Sequence, residues 1–92
     1  MNDTRFQLVL DDIDAAIASR KAADAAIDDA RTRLADMAEE GFPSGFMDLI
    51  NRATADINVS IRVYEAGWFT AAHHRLMSAK DIIRRAIERQ SH

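Results

Sequence analysis

The residues best suited to chemistry lie in the segment EAGWFTAAHHRLMSAKD, residues 65–81. Two adjacent histidines, His73 and His74, are followed by a lysine and an aspartate and preceded by the only tryptophan, Trp68. Imidazole exchanges protons near neutral pH and binds metals, so this segment is the candidate for proton transfer or metal binding. If the chain is an enzyme, we expect His73 and His74 to be its reactive residues.

The spacing of these histidines argues against a shared metal ion. Adjacent helical residues point about 100° apart, whereas two imidazoles that bind one ion from a single helix are three or four residues apart. The neighbouring Phe69, Leu76 and Met77 supply no ligand, and the aspartate pairs earlier in the chain lack the glycine-centred loop of a calcium site. We therefore expect no metal, no cofactor and no catalytic residue, and we interpret residues 65–81 as part of a helical hairpin.

Composition narrows the functional class further. A chain of 92 residues without cysteine has no disulfide or thiolate chemistry, and it has little core to spare for a deep substrate cavity. No run approaches the roughly 18 apolar residues of a membrane span, and the first residues lack a signal-peptide pattern. We expect one domain over residues 1–92, located in the cytoplasm.

The charges are distributed unevenly along the chain. Residues 1–41 carry ten Asp and Glu against five Lys and Arg, whereas residues 42–92 carry five against seven. Two halves packed antiparallel could satisfy this asymmetry within the fold. The basic residues of the last segment flank both sides of its apolar stripe, which argues against nucleic acid as a partner.

Hydrophobic spacing predicts the elements that position these residues. Large apolar residues recur three or four apart on one face of a first helix, which we place at 4–39 and which Gly41 and Pro43 end. The same pattern predicts helices at about 44–66 and 68–90, with a break at Gly67 preferred over one continuous helix. The predicted fold is all-α, either a three-helix bundle or a long bent antiparallel helical hairpin.

The apolar face of the first helix is interrupted at Arg20 and Asp24, between Ile17 and Ile27. Either the helix bends near residues 19–22, or its neighbour changes there. One interpretation is that both residues lie beyond a shorter partner helix and face water. The alternative is a notch that faces a partner, where a polar pair sets the register. On that alternative, the predicted partner-binding residues are Arg20, Asp24, Ile27, Leu34 and Trp68.

A family resemblance covers residues 25–64, AAIDDARTRLADMAEEGFPSGFMDLINRATADINVSIRVY. This order of an alanine-rich charged helix, a glycine–proline turn and a second aliphatic helix resembles the small E-component co-chaperones of type III secretion needles. The resemblance implies a helical hairpin that keeps a needle subunit unpolymerised in the cytoplasm, together with a tetratricopeptide-like partner. The segment from Gly67 onward is not explained by that pattern.

These features together predict a non-enzymatic helical module that acts through protein–protein contact, as an adaptor or co-chaperone-like protein. The alternative is a self-associating structural subunit of a larger assembly, such as a phage particle or a secretion apparatus. The two alternatives differ in whether the partner is another protein or a second copy of the chain.

Overall fold

Four α-helices make up nearly all of the computed structural model, which describes residues 3–91. They are α1 (Arg5–Ala18), α2 (Arg20–Glu40), α3 (Ser44–Glu65) and α4 (Phe69–Gln90), with no strand in the described part. The prediction of an all-α fold is confirmed, whereas the predicted number of three helices is wrong.

The error lies in the first predicted helix, which the structure divides at Ser19, within the residues 19–22 where a bend was one of the two alternatives. This residue has an extended backbone, with φ −145° and ψ 119°, and the chain reverses there. A straight helix over 4–39 would be roughly 54 Å long, whereas the described chain extends only 38 Å. The spacing of hydrophobic residues cannot distinguish one continuous helix from two helices joined at Ser19. The buried residues of α1 and α2 would lie on one face of a continuous helix.

The other two boundaries were predicted correctly. Gly41 and Gly67 have φ of 83° and 87°, in the left-handed region that favours glycine, and each follows the end of a helix. Pro43 precedes α3 with φ −51° and ψ 147°, and its ψ places it outside the helical region. The predicted break at Gly67 is confirmed, because α3 ends at Glu65 and α4 begins at Phe69.

The helices form an up-down-up-down bundle in which each packs on two neighbours. α1 lies against α2 and α4, and α3 lies against the same two helices. Ion pairs mark the antiparallel arrangement, since Arg5 at the start of α1 contacts Glu40 at the end of α2. Within residues 3–91, no helix combines the length and apolar character needed to cross a membrane.

The core is filled unevenly along the bundle. At the end that holds the start of α1, which we call the closed end, large side chains are fully buried, and the ring of Phe6 packs edge-on against Phe42 with centroids 5.6 Å apart. At the opposite end, which we call the Ser19 end, the separate small cluster consists of Ala16, Ala26 and Leu76. Small side chains therefore leave the Ser19 end of the bundle less completely packed.

The charge asymmetry is only partly satisfied between the two halves. Among the described residues, the one ion pair that joins them links Lys80 Nζ of α4 to Asp14 Oδ1 of α1, at 2.8 Å. The other ion pairs lie within one half, such as Arg33 with Asp12 at 3.1 Å. The exposed surface of α1 and α2 consequently remains acidic.

Candidate functional site

A groove of about 660 Å³ opens at the Ser19 end between α2 and α3. α1 and α4 form its floor with Ala16, Ala72 and Leu76, which are buried, while Ala23 and Ile27 of α2 line one wall. The volume lies within the ~300–1,000 Å³ range of ligand-binding pockets. The groove exposes somewhat more apolar than polar surface.

The groove exists because of residue size. α2 and α3 have the least extensive contact among the four neighbouring pairs of helices, so they separate toward the Ser19 end. Alanines occupy three positions of its lining, at Ala16, Ala23 and Ala72, whereas the rings of Phe6, Phe42 and Phe46 pack together at the closed end. Since interiors are normally packed without voids larger than a water molecule, a hollow of this size marks a place where the sequence leaves space.

Exposed aromatic side chains form the rim of the groove. Tyr64 and Phe69 are 41% and 45% exposed, with ring centroids 5.0 Å apart, and Trp68 beside them is 67% exposed. The guanidinium of Arg20 lies 4.3 Å from the Phe69 centroid and 5.9 Å from that of Tyr64. Tryptophan, tyrosine and arginine are the residues most enriched at the energetic centres of protein–protein interfaces. The rim therefore has the composition of a protein-binding surface.

Two carboxylates face the groove from opposite walls, Asp24 from α2 and Glu65 from α3. Neither has an ion-pair partner among residues 3–91, whereas Asp28 of the same wall pairs with Arg31 at 3.9 Å. The guanidinium of Arg20 lies against the rings of Phe69 and Tyr64. The groove thus combines an apolar floor with two carboxylates whose charge is not neutralised by an ion pair in the described chain.

The structure brings together three of the five predicted partner-binding residues, since Arg20, Asp24 and Ile27 all line the groove. Trp68 lies next to the rim residue Phe69. Leu34 is fully buried in the main core and has no surface to offer. Arg20 and Asp24 do not form the intrahelical ion pair considered from sequence, because the guanidinium lies against the rings of Phe69 and Tyr64 instead.

Sequence reasoning missed the contribution of Tyr64 and Phe69. Hydrophobic spacing places both on the apolar faces of their helices, and it gives no sign that these side chains at the end of α3 and the start of α4 are exposed. A signal was available in the cluster of three aromatic residues around the helix break at Gly67. Aromatic residues placed at a turn are less covered by neighbours than those in the middle of a helix.

The two histidines are exposed and face different hollows. His73 lines the groove, whereas His74 lines a second hollow of about 420 Å³ with Ser78 and Arg85. Their ring centroids are 6.4 Å apart. Within residues 3–91, no group of three or more His, Asp and Glu side chains is placed to hold a metal ion.

One buried carboxylate is accounted for by packing between α3 and α4. Asp56 accepts hydrogen bonds from Ser78 Oγ at 2.6 Å and from Arg75 Nη1 at 3.3 Å. A buried charge is tolerated only when it is paired and hydrogen-bonded, and these two donors meet that requirement. Asp56 consequently holds α4 in register on α3.

A second charged cluster ties the closed end of the bundle. Hydrogen bonds from the Arg5 guanidinium are the main cause that lowers the pKa of Asp3 and that of Glu40 below their usual values. Nearby on α1, burial raises the pKa of Asp12, and the hydrogen bond from Arg33 opposes that rise. The contact of Arg5 with Glu40 joins α1 to α2 at the end of the bundle opposite the groove, and the contact of Arg33 with Asp12 joins the same helices nearer their middle.

Comparison with protein-family models, with curated proteins and with solved structures gives no match to this chain. The resemblance of residues 25–64 to the needle co-chaperones therefore stays a prediction. Function has to be inferred from the geometry of the groove itself.

Proposed function

We propose that this chain is a non-enzymatic protein–protein interaction module, adaptor- or co-chaperone-like, whose groove binds one helix of a partner protein. The observation that carries the proposal is the groove at the Ser19 end, a hollow with an apolar floor that is bordered by exposed Tyr64 and Phe69, with exposed Trp68 next to Phe69 in the chain.

The shape of the groove favours a helix as its occupant. Its long walls are two helices, and the α2 wall runs from Arg20 to Arg31, roughly 18 Å at ~1.5 Å per residue. A partner helix of three turns fits that length and would present residues i, i+3 or i+4, and i+7 to the floor. The described residues contain no strand edge to which an extended peptide could add. Alanines in the floor allow a partner backbone to approach closely.

Charge specifies the partner further. Asp24 and Glu65 lie on opposite walls without an ion-pair partner in residues 3–91, so a bound helix with Lys or Arg beside its apolar stripe would meet both. Aspartate or glutamate at those positions of the partner would be repelled. The expected partner segment is therefore an amphipathic helix whose polar flanks are cationic.

A synthetic probe tests this chemistry directly. The probe is a three-turn helical peptide with leucine at i, i+3 and i+7 and lysine on both flanks, matched by a version with glutamate on the flanks. Trp68 is the only tryptophan, is exposed and is the chain neighbour of the rim residue Phe69, so its emission should move to shorter wavelength when a bound helix covers it. We expect the lysine peptide to bind and the glutamate peptide to bind at least tenfold more weakly, about 1.4 kcal/mol.

Two variants locate the binding. Ala23→Leu fills the groove and should abolish binding of the lysine peptide. Replacing both Arg20 and Asp24 by leucine removes polar groups from an apolar wall, so we expect a higher Tm together with weaker peptide binding. Binding unchanged in both variants would show that the peptide lies elsewhere and that the groove is not the site.

The natural partner can be identified with the same variant. Proteins captured from the source organism by the native chain and by Ala23→Leu are compared, and a groove partner is one that only the native chain retains. A partner whose captured segment lacks a cationic amphipathic helix would contradict the proposal, even if the capture itself were efficient.

A further inference from the structure

The connection between α1 and α2 is a single residue that nothing in the local sequence requires to be a turn. Residues 14–27, DAAIASRKAADAAI, contain no glycine or proline and are mostly strong helix formers. Ser19 is extended, and its side chain makes no capping hydrogen bond to the start of α2. The reversal at Ser19 is therefore imposed by packing of the two helices and not by turn chemistry.

A continuous helix through Ser19 would keep the buried residues of α1 and α2 along one face. The buried residues of α1 are Phe6, Val9, Ile13 and Ala16, and steps of four and three from Ala16 lead through residues 20, 23 and 27 to the buried positions 30, 34 and 37 of α2. A shared face over 5–40 is what two helices need if they are to join into one without exposing new surface.

α1 cannot leave the bundle without a replacement. Phe6 and Val9 are fully buried and Ile13 nearly so, packed on the core formed with α2, α3 and α4. If Ser19 became helical in one molecule, that site would be empty and the face of α1 would be in water. A second copy that opens in the same way carries the α1 that fits the site.

We infer that this chain exchanges α1 between two copies. In the exchanged dimer Ser19 is helical, residues 5–40 form one helix, and the α1 of each copy lies between α2 and α4 of the other. Exchange remakes every contact of α1, so the two forms differ chiefly at the hinge, which is why short hinges favour it. Ala15, Ala18 and Ala22 are exposed beside Ser19, so two antiparallel helices can cross closely there. This inference does not rest on the groove having a partner.

The Lys80–Asp14 ion pair offers a direct test, because it joins α4 to the exchanged helix. A carbodiimide converts such a contact into an amide bond between the lysine nitrogen and the carboxyl carbon, with loss of water. One chain carries Asp14→Asn and keeps Lys80, and the other carries Lys80→Arg and keeps Asp14. Lys21, the other lysine, is replaced by arginine in both. The chains are unfolded, mixed at high concentration, refolded together and cross-linked.

Exchange predicts a covalent dimer on a denaturing gel, with residue 80 of one chain linked to residue 14 of the other. The matched control replaces Lys80 by arginine in both chains and should give no such band. A dimer by light scattering without this cross-link would mean association without exchange and would overturn the inference. A chain that stays monomeric at its highest soluble concentration would overturn it as well.

Substitutions at the hinge test its helical state. Alanine and glycine can both adopt the extended backbone that residue 19 has in the monomer. In the exchanged dimer, alanine favours the helical hinge and glycine opposes it. Counted over the two hinges of a dimer, the difference predicts about 30-fold tighter dimerisation for Ser19→Ala than for Ser19→Gly. Equal dimer Kd values for the two variants would exclude a helical hinge.

Discussion

Filling the groove should stabilise the protein, which is the reverse of what bulk added to a packed core does. The substitution is Ala23→Leu on α2, where the alanine is half-buried and lines the groove. The matched control is Ala79→Leu on α4, where the alanine is fully buried in the main core. Both changes add the same three carbon atoms to a helix, so they differ only in the space that receives them.

The magnitude follows from the burial at each site. Three added carbons are worth about 2.4 kcal/mol when fully buried, so roughly half of that at a half-buried position. Ordering the leucine side chain costs about 0.5 kcal/mol, which leaves a net gain of about 0.5–1 kcal/mol. In a domain of this size that gain raises Tm by about 2–8 °C. Ala79→Leu has no free volume and should cost about 1–3 kcal/mol through overpacking.

Thermal unfolding followed by far-ultraviolet circular dichroism measures both variants in the same buffer. The informative result is the sign of each change, because the two substitutions are chemically identical. If Ala23→Leu lowered Tm as much as Ala79→Leu, the space between α2 and α3 would be closed in solution. The groove would then be lost as a candidate site.

Three further predictions concern the rest of the fold. Ser78→Ala removes the shorter hydrogen bond to buried Asp56 and should destabilise the chain by about 1–3 kcal/mol in urea unfolding, while an unchanged midpoint would show that the bond is not formed in solution. Gly67→Ala places a side chain at φ 87° and should cost about 1–2 kcal/mol, although no atom lies within 4 Å of the new methyl group. The lowered pKa of Asp3 and of Glu40 means that both carboxylates stabilise the fold above about pH 4 and lose that effect as pH falls. Tm should therefore drop on acidification from about pH 6 to about pH 3, and the drop should be smaller in Glu40→Gln, whereas equal drops would contradict the role of that contact.

Helix boundaries set by backbone chemistry were predictable from sequence, and those set by packing were not. Glycines at 41 and 67 and the proline at 43 mark their turns locally, because few other residues adopt those conformations. At Ser19 the interrupted apolar face indicated where the helix could bend, but the local residues are mostly helix formers and gave no sign of a complete reversal. The reversal at Ser19 depends on the packing of α1 against α2, α4 and the core, and those contacts join residues distant in sequence.

The candidate site shows the same division. The interruption of the apolar face at Arg20 and Asp24 identified a real position in the groove, because a missing apolar residue is visible in the pattern. Leu34 was assigned to the same surface by its periodicity, although it is buried. Periodicity identifies the face of a helix but not which part of that face another helix covers. The separation of α2 from α3 determines which part of the α2 face is exposed, and the sequence of α2 alone does not predict that separation.

The cost of the groove is itself an argument that it has a use. A chain of 92 residues is marginal in core size, and leucine at position 23 would add burial without changing the helix. The closed end shows that the same four helices can bury large side chains such as Phe6 and Ile50 completely. At the Ser19 end the sequence instead combines alanines below with exposed Tyr64, Trp68 and Phe69 above. An unfilled groove beside exposed aromatic side chains lowers the stability of the bundle. A binding surface requires such an arrangement, whereas a purely structural bundle has no reason to keep it.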